Sequence, residues 1–556
     1  MVSDIQMESS LPQFSANVGD DLRRGNLNGG LARVIDFVIN VILHQTSTSR
    51  IFSSAELDAL CQLIGTLSRK ASGPYLIPAD ARRENHVIYL VTELAMTGGH
   101  TRLLVDLITA ERAARQTILI SNIHETTNIA DLAGLYAGLD VTIRIAPPGD
   151  FLSRLLWLQM QLAECRPCRS YILPHHFDAV IMAAVQVDLV GRLIYLHNCD
   201  HALALGIHLP HAQHVDLHAK GYYHCRETEG LANNLLWPLV VPDGGHRADA
   251  PFLARGHLTT CTSGGFEKFE APHCIEQVPY LFRYDELLPR MLQASRGTHI
   301  HIGKLSGTML RRISDGIANA GLPDDRFVHV PFVPSLWGAL LEHNVDVYVG
   351  SFPLGGGRAT VEAMGAGLPL VIHSNYRSHF LSVEFEVYDG AMIWRQSDQL
   401  LGFLSSLTSP KLAEHARRSR RHYETHHRPE RLRSAIEDAA RGVTAMLPPR
   451  PVYQPNLLQA YLDEQHAFWT NSHTNVVVSE HDAQRREQLV DEELARLRDQ
   501  LRSQQIEMTT RAEQERARQD EAWRIEVERV KEDAIRQMRI TTRVRRLLRK
   551  IGGASR

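Results

Sequence analysis

The feature that most constrains the fold of this chain is a strand–turn–helix–strand unit at residues 345–371. An apolar run leads into three glycines at 355–357, after which a helix is expected to begin. The glycines let a ligand approach the backbone, and free N–H groups at a helix start favour an anion. A further apolar run at 368–372 predicts another buried parallel strand. The predicted anion site comprises Gly356, Gly357, Arg358, Ala359 and Thr360, with Glu362 one turn further.

Apolar runs of strand length alternate with helical patterns over most of the chain. In the first half they lie at 86–94, 116–122, 141–146, 178–185 and 191–198, with helices expected at 100–114 and 150–164. In the second half they lie at 257–263, 297–305, 326–332, 345–351 and 368–374. This alternation predicts an α/β protein with two doubly wound, Rossmann-like parallel sheets. Two such sheets leave a cleft at the carboxyl ends of their strands, where ligands bind.

Composition and pattern divide the 556 residues into seven predicted segments. They are a disordered segment at 1–29, a helical segment at 30–80, Rossmann-like domains at 81–255 and 256–445, a proline-rich linker at 446–479, a coiled coil at 480–540 and a basic amphipathic tail at 541–556. Helices at 410–445 are expected to pack back over the first domain. The coiled coil predicts a homo-oligomer or docking on a partner, and a single charged helix is the alternative. The tail predicts contact with a membrane surface or an acidic partner, and a plain cationic helix end is the alternative.

The composition excludes several classes of protein. A net charge of −3 gives no overall field that would attract nucleic acid. Seven cysteines in so long a chain do not make a disulfide framework, and no cleavable apolar signal follows Met1. A cytoplasmic location is therefore predicted, with the tail allowing contact with the inner face of the membrane. The apolar stretch at 31–43 is shorter than the about 20 residues of a membrane span.

Three blocks of sequence occur in an order and spacing that resemble a known family. They are CTSGGFEKFEAP at 261–272, GLPDDRFVHVPFVP at 321–334 and the glycine unit at 345–371. The chain resembles the C-terminal catalytic domain of O-GlcNAc-transferase-like glycosyltransferases, which include bacterial protein N-glucosyltransferases. It also resembles the broader GT-B glycosyltransferases that elongate surface polysaccharides. The resemblance implies two Rossmann-like domains in the GT-B arrangement, a nucleotide-sugar donor with a UDP-sugar favoured, inversion at the anomeric carbon, and a donor-binding lysine at Lys268.

The chain departs from the family's pattern around the helix start. The paired threonines of the family are Arg358 and Ala359 here, which leaves only Thr360. In the polysaccharide enzymes two carboxylates flank the glycine turn; here the first position is Leu354, and only Glu362 remains. These departures leave the donor sugar and the acceptor open.

Breaking a sugar–diphosphate bond leaves negative charge, which cations and backbone N–H groups must stabilise when no metal does so. Lys268, Lys304 and Arg358 are the candidate cations. Glu362 is placed to accept hydrogen bonds from a ribose. Arg358 could instead pair with a carboxylate across the cleft, and Lys268 could be an ordinary surface lysine. No Asp-x-Asp pair that would hold a divalent ion beside the diphosphate is found, so metal-independent chemistry is predicted, with no cofactor and no metal site.

The first domain is expected to hold the acceptor and a general base. A histidine near a carboxylate is what deprotonation of an acceptor hydroxyl needs, and a loop histidine capped by a neighbouring Asp is the alternative. The candidate catalytic residues are His100, His197, Asp200 and His201, and the candidate acceptor loop holds Gly98 and Gly99. Cys165 and Cys168 supply two of the four ligands that a structural zinc site needs, which is weak evidence for zinc.

Together these features predict a glycosyltransferase that moves a sugar to a hydroxyl or amide of a glycan or protein acceptor. Surface-polysaccharide synthesis and protein glycosylation are the settings that the resemblance implies. Two alternatives stay open. One is a sugar-nucleotide epimerase, which would share this fold and diphosphate site and would need no acceptor. The other is a non-catalytic scaffold that keeps a degenerate transferase fold for its coiled coil.

Overall fold

The computed structural model describes residues 10–43, 49–72, 85–95, 99–113, 115–247, 251–270, 283–375, 378–442 and 450–451. The chain divides into two compact units, Met1–Phe468 and Trp469–Arg556, and everything described below belongs to the first. The predicted coiled coil, the basic tail and nearly all of the predicted linker lie outside the described residues, as does Gly98.

The first sheet has parallel strands in the order β3-β2-β1-β4-β5-β6-β7. The strands are β1 (His86–Val91), β2 (Arg115–Ile120), β3 (Thr142–Ile145), β4 (Arg169–Leu173), β5 (Arg192–His197), β6 (Ala212–Asp216) and β7 (Leu235–Leu236). The helices that follow them are α4 (Gly99–Ala110), α5 (Ile129–Tyr136), α6 (Phe151–Cys165), α7 (Ala179–Ala184) and α8 (Ala219–Glu227). The strand order reverses between β1 and β4, which is where ligands bind in open α/β sheets.

The second sheet is also parallel, in the order β10-β9-β8-β11-β12-β13. Its strands are β8 (Thr259–Ser263), β9 (Thr298–Ile302), β10 (Phe327–Val330), β11 (Val347–Val349), β12 (Leu370–His373) and β13 (Met392–Trp394). Its helices are α9 (Phe266–Phe269), α10 (Tyr284–Ser295), α11 (Gly307–Asn319), α12 (Leu336–Glu342), α13 (Gly357–Gly365) and α14 (Ser397–Ser406). Helices cover both faces of each sheet, as the separate apolar clusters on the two faces show. The predicted α/β class with two doubly wound parallel sheets is confirmed.

Three helices precede the first sheet: α1 (Leu11–Arg23), α2 (Leu27–Leu43) and α3 (Ala55–Ser72). The prediction of disorder over 1–29 is wrong for α1. Its residues Phe14, Val18 and Leu22 are spaced by one helical turn, are buried, and join the apolar cluster under the first sheet. Because polar residues separate these three apolar residues, the overall composition of the segment is polar and gives no sign of the helix.

Two helices end the described chain, α15 (Ser409–His426) and α16 (Pro429–Arg441). In α15, Tyr423 packs against Trp337 of the second domain. In α16, Leu432 and Ile436 are buried in the core of the first domain with residues of α4. Of the helices predicted at 410–445 to pack over the first domain, α16 does so, whereas α15 packs against the second domain.

One predicted strand is a helix. The run at 178–185 forms α7, because the Asp178 carboxylate accepts a 2.9 Å hydrogen bond from the backbone N–H of Ile181 and caps a helix that is buried throughout. A short, continuous apolar run does not distinguish a buried strand from a buried helix. The strand that occupies this place in the sheet is β4, which the sequence pattern missed.

Among the described helices, none is both long enough and apolar enough to cross a membrane.

Candidate active site

The glycine turn follows β11 and leads into α13, as predicted. Gly356 precedes the helix, and no side chain caps its first turn. Within the described residues, the backbone N–H groups of Gly357, Arg358 and Ala359 have no acceptor. These N–H groups lie at the positive end of the helix dipole, so the turn presents donors to an anion.

Lys268 lies directly against this turn. Its Nζ donates a 2.7 Å hydrogen bond to the carbonyl oxygen of Gly355. A Cβ atom on Gly356 would stand 2.9 Å from the same Nζ, so the glycine leaves the room that the lysine occupies. Burial lowers the pKa of Lys268 to about 8. Lys268 therefore places a half-buried ammonium beside the helix start.

A second lysine, missed in the sequence, reaches the same region from the first domain. Lys220 of α8 is 4% exposed, and its Nζ donates a 2.6 Å hydrogen bond to the carbonyl oxygen of Ser382 in the second domain. It also lies 3.4 Å from the Glu386 carboxylate. Its positive charge is one of the influences that lower the pKa of Lys268, after burial. In a sequence, a lysine in a short helical segment looks like a surface residue, and nothing in the pattern distinguishes Lys220.

Arg358 follows the alternative that the sequence left open. Its guanidinium donates a hydrogen bond to the Asp106 carboxylate on α4, across the boundary between the domains. It also lies 3.7 Å from Glu362, one turn along α13. Burial raises the pKa of Asp106, and the charge of Arg358 opposes that rise. Carboxylates thus face Arg358, and Glu386 faces Lys220, whereas Lys268 forms no ion pair within the part of the chain that the structure describes.

Of the remaining predicted donor-binding residues, Thr360 and Glu362 lie on α13, whereas Lys304 does not. The Thr360 hydroxyl donates a 2.9 Å hydrogen bond to the carbonyl oxygen of Gly356 and is buried. One carboxylate oxygen of Glu362 accepts a 3.1 Å hydrogen bond from the backbone N–H of Trp337, and burial raises the pKa of this carboxyl. Lys304 lies in the loop after β9 and is exposed. The geometry thus gathers Lys268 with the turn and leaves Lys304 at the surface.

Four half-buried histidines gather where β1, β4 and β5 of the first domain end. They are His100 in the first turn of α4, His175, His176 and His201. The rings of His100 and His175 are 5.0 Å apart, and those of His176 and His201 are 4.9 Å apart. Burial lowers the pKa of all four, that of His100 to about 3. They are therefore neutral at pH 7, the state in which an imidazole accepts a proton.

Among these four histidines, His201 is the one whose pKa is affected by the lysines near the glycine turn. The charges of Lys220 and Lys268 both contribute to its lowered pKa, while Asp200 opposes them. Its neighbour Asp200 is ionised, because His218 and Lys220 outweigh the effect of burial and hold the pKa of this carboxyl below its usual value. The charge of Asp200 and those of the two lysines thus act on the pKa of His201 in opposite directions.

His197 and Asp200, expected side by side as base and orienting carboxylate, have different partners in the structure. His197 is buried within the first domain, and its Nδ1 lies 3.0 Å from an oxygen of Asp216. The Asp200 carboxylate lies 3.0 Å from Nδ1 of His218. Asp216 did not stand out in the sequence, since the contact between β5 and β6 that brings it to His197 depends on strand pairing.

The comparisons with known proteins give structural likeness only. No family model matches the chain, and no curated protein matches it. Similar solved structures include Anabaena Alr3699/HepE in complex with UDP and glucose, with 14% identity, 64% of this chain and 100% of that chain covered, and a TM-score of 0.47. A glycosyltransferase from Rickettsia africae has 10% identity, coverage of 64% and 98%, and a TM-score of 0.48. An O-GlcNAc transferase from Thermobaculum terrenum has 13% identity, coverage of 77% and 83%, and a TM-score of 0.39.

Glycosyltransferases are thus among the solved structures that resemble this chain, and one of them is named for the activity of the family that the sequence resembles. With TM-scores below 0.5 and identities below 25%, these likenesses carry no conclusion about what this chain binds or does.

Proposed function

We propose that this chain is a glycosyltransferase that uses a nucleotide-diphosphate sugar. The observation that carries the proposal is the half-buried Lys268 ammonium, 2.7 Å from the carbonyl oxygen of Gly355. It lies beside three backbone N–H groups at the start of α13 that have no acceptor among the described residues. A site of this kind stabilises the charge that appears on a departing diphosphate. A UDP-sugar is the expected donor from the resemblance in sequence.

The donor half of the reaction uses residues of both domains. The bond between the anomeric carbon and the diphosphate oxygen breaks, and its electron pair stays on the nucleoside diphosphate. The N–H groups of Gly357, Arg358 and Ala359 are donors to that charge, and the ammonium groups of Lys268 and Lys220 neutralise it. These cations and donors favour departure without a divalent ion, and Glu362 offers its second carboxylate oxygen to the ribose.

The acceptor half uses the histidines at the strand ends of the first domain. His201 takes the proton from the acceptor group as its oxygen or nitrogen bonds to the anomeric carbon, and Asp200 stabilises the imidazolium that forms. His100 is the second candidate base, because burial keeps it neutral as well. Attack from the face opposite to the diphosphate gives inversion, the outcome that the resemblance implies.

Several predictions about the rest of the chain stay predictions. A homo-oligomer or partner dock through 480–540, and membrane contact through 541–556, concern residues outside those described. The cytoplasmic location and a glycan or protein acceptor likewise stay predictions.

The decisive experiment uses the full chain and a panel of nucleotide sugars. One nucleotide sugar is expected to raise the melting temperature. Without an acceptor, slow hydrolysis of that nucleotide sugar should release UDP or another nucleoside diphosphate, and adding an acceptor should speed the release. The release should need no added Mg²⁺ or Mn²⁺. Conversion of the sugar without release of nucleoside diphosphate would indicate a sugar-nucleotide epimerase instead. If no nucleotide sugar raised the melting temperature, the non-catalytic scaffold would be the remaining alternative.

A further inference from the structure

A compact set of metal-ligating side chains lies inside the first domain, away from the glycine turn. His197 ends β5, His214 and Asp216 lie on the neighbouring β6, and Cys225 lies on α8. His197 pairs directly with Asp216 in the sheet register, and His214 lies two residues before Asp216, hence on the same face. All four residues are buried, at 2%, 5%, 1% and 0% exposure respectively.

The four potential ligand atoms are close enough to surround one ion. His197 Nδ1 and His214 Nε2 lie 3.0 Å and 3.1 Å from the same oxygen of Asp216. Cys225 Sγ lies 3.4 Å from His197 Nδ1, and all four atoms are within 4.8 Å of one another. Ligand atoms around a tetrahedral zinc ion, with bonds of about 2.0 to 2.3 Å, stand about 3.3 to 3.7 Å apart. Small shifts would therefore close the set around such an ion.

The chemistry of the set favours zinc over the alkaline-earth ions. Two imidazoles, one thiol and one carboxylate are ligands that zinc binds at structural sites, whereas calcium and magnesium prefer oxygen alone. A single proton on His197 Nδ1 can form one good hydrogen bond, either to the Asp216 oxygen or to the Cys225 sulfur. One metal cation, in contrast, would bind all four atoms at once.

The Asp216 carboxylate is also oriented by a hydrogen bond from a side chain outside this set of four residues. The second oxygen of Asp216 accepts a 2.8 Å hydrogen bond from Nδ2 of Asn234. The same amide group donates a 2.8 Å hydrogen bond to the carbonyl oxygen of Tyr222 on α8. Such an outer partner turns the other oxygen toward the imidazoles, as the outer partners of metal-binding carboxylates do.

We propose that His197, His214, Asp216 and Cys225 bind one zinc ion in a structural site. Four protein ligands leave no coordination position for a substrate. The ion would tie β5 and β6 to α8, the helix that carries Lys220, and would hold the end of β5 from which the loop with Asp200 and His201 departs. It is distinct from the weak C-x-x-C signal: among the described residues, no group of three potential ligand atoms that could hold an ion includes Cys165 or Cys168.

The test is the metal content of the full chain, produced with added zinc and purified without a metal-chelating tag. About one zinc per chain is expected after dialysis in wild-type protein. Cys225→Ser and His214→Gln should lose most of it, and the control Cys168→Ser should keep it. Wild-type protein without stoichiometric metal would overturn the proposal, and stoichiometric iron or nickel in place of zinc would overturn the identity of the ion.

A second measurement keeps the test sound if the cluster variants fail to fold. Replacing the metal of wild-type protein by Co²⁺ should produce the visible bands of a tetrahedral site, together with a near-ultraviolet thiolate-to-cobalt band. In a folded Cys225→Ser protein, which should bind Co²⁺ only weakly, the thiolate band should disappear. An octahedral spectrum, or a thiolate band that survives in folded Cys225→Ser protein, would contradict the assignment.

Discussion

The guanidinium of Arg358 donates a hydrogen bond to the carboxylate of Asp106, and this contact joins the helix after the glycine turn to the helix that begins beside His100. The two side chains are 18% and 6% exposed. Their pairing holds the donor side and the acceptor side of the proposed site next to each other. A reaction between two bound substrates depends on such positioning.

A double-mutant cycle is expected to detect the coupling between these two residues. Arg358→Ala and Asp106→Ala should each destabilise the protein, because each leaves the other charge partly buried without its partner. The coupling should be about 0.5 to 3 kcal/mol, measured by urea unfolding. The exposed pair of Arg418 and Glu414 on α15 is the control and should give about 0.5 kcal/mol or less. A coupling no larger than that of the control would show that the domains are not held by this contact.

Replacing Lys268 should slow the proposed transfer strongly. Lys268→Met keeps the approximate length of the half-buried side chain and removes the ammonium beside Gly355, so turnover is expected to fall on the order of 100-fold. Initial rates of nucleoside diphosphate release measure it, with melting curves to check folding. Lys411→Met, at an exposed lysine of the same domain, is the control and should retain the wild-type rate. Wild-type turnover in folded Lys268→Met protein would refute the donor site.

The rate should also depend on pH through the same amine. Because burial lowers the pKa of Lys268 to about 8, the charged form is lost as the pH rises through that value. We expect kcat/KM, which reports the free enzyme, to decline above about pH 8. In Lys268→Arg, whose guanidinium stays charged, any residual activity should lack this decline. The same decline in the arginine variant would assign it to another group.

His201→Gln should lower kcat by roughly 100-fold or more, since a glutamine cannot take the acceptor proton. Burial moves the pKa of His201 below its ordinary value of 6.5, so its base form should persist and the acidic decline in rate should lie below that pH. His246→Gln, at an exposed histidine, is the control. Comparison with His100→Gln shows which of the two histidines is the base: a loss confined to His100→Gln would transfer the role to His100.

The sequence predicts the parts of this site that are local in the chain. The strand, glycine turn and helix around Gly356 follow from apolar runs and glycines within about twenty residues, and the structure has them as expected. Lys268 was indicated by resemblance, and its contact with Gly355 is observed. Such features depend on neighbours in sequence, which is why a single chain reveals them.

The parts that could not be predicted depend on contacts between distant segments. Lys220 is buried where the segment holding Ser382 packs against it from the other domain. His197 meets Asp216 only through the register of β5 and β6. In α7 the cap from Asp178 decides between helix and strand, and the apolar run alone did not.

The return of α16 to the first domain has a practical consequence for dividing this protein. A fragment cut at the predicted boundary near residue 255 would lack Leu432 and Ile436, which fill part of its own core. Such a fragment would expose apolar surface on α4 and tend to aggregate, and its missing helix would remain on the other fragment without a place to pack. Expressing the halves separately therefore requires residues 429–441 to be supplied to the first half, by fusion or as a peptide.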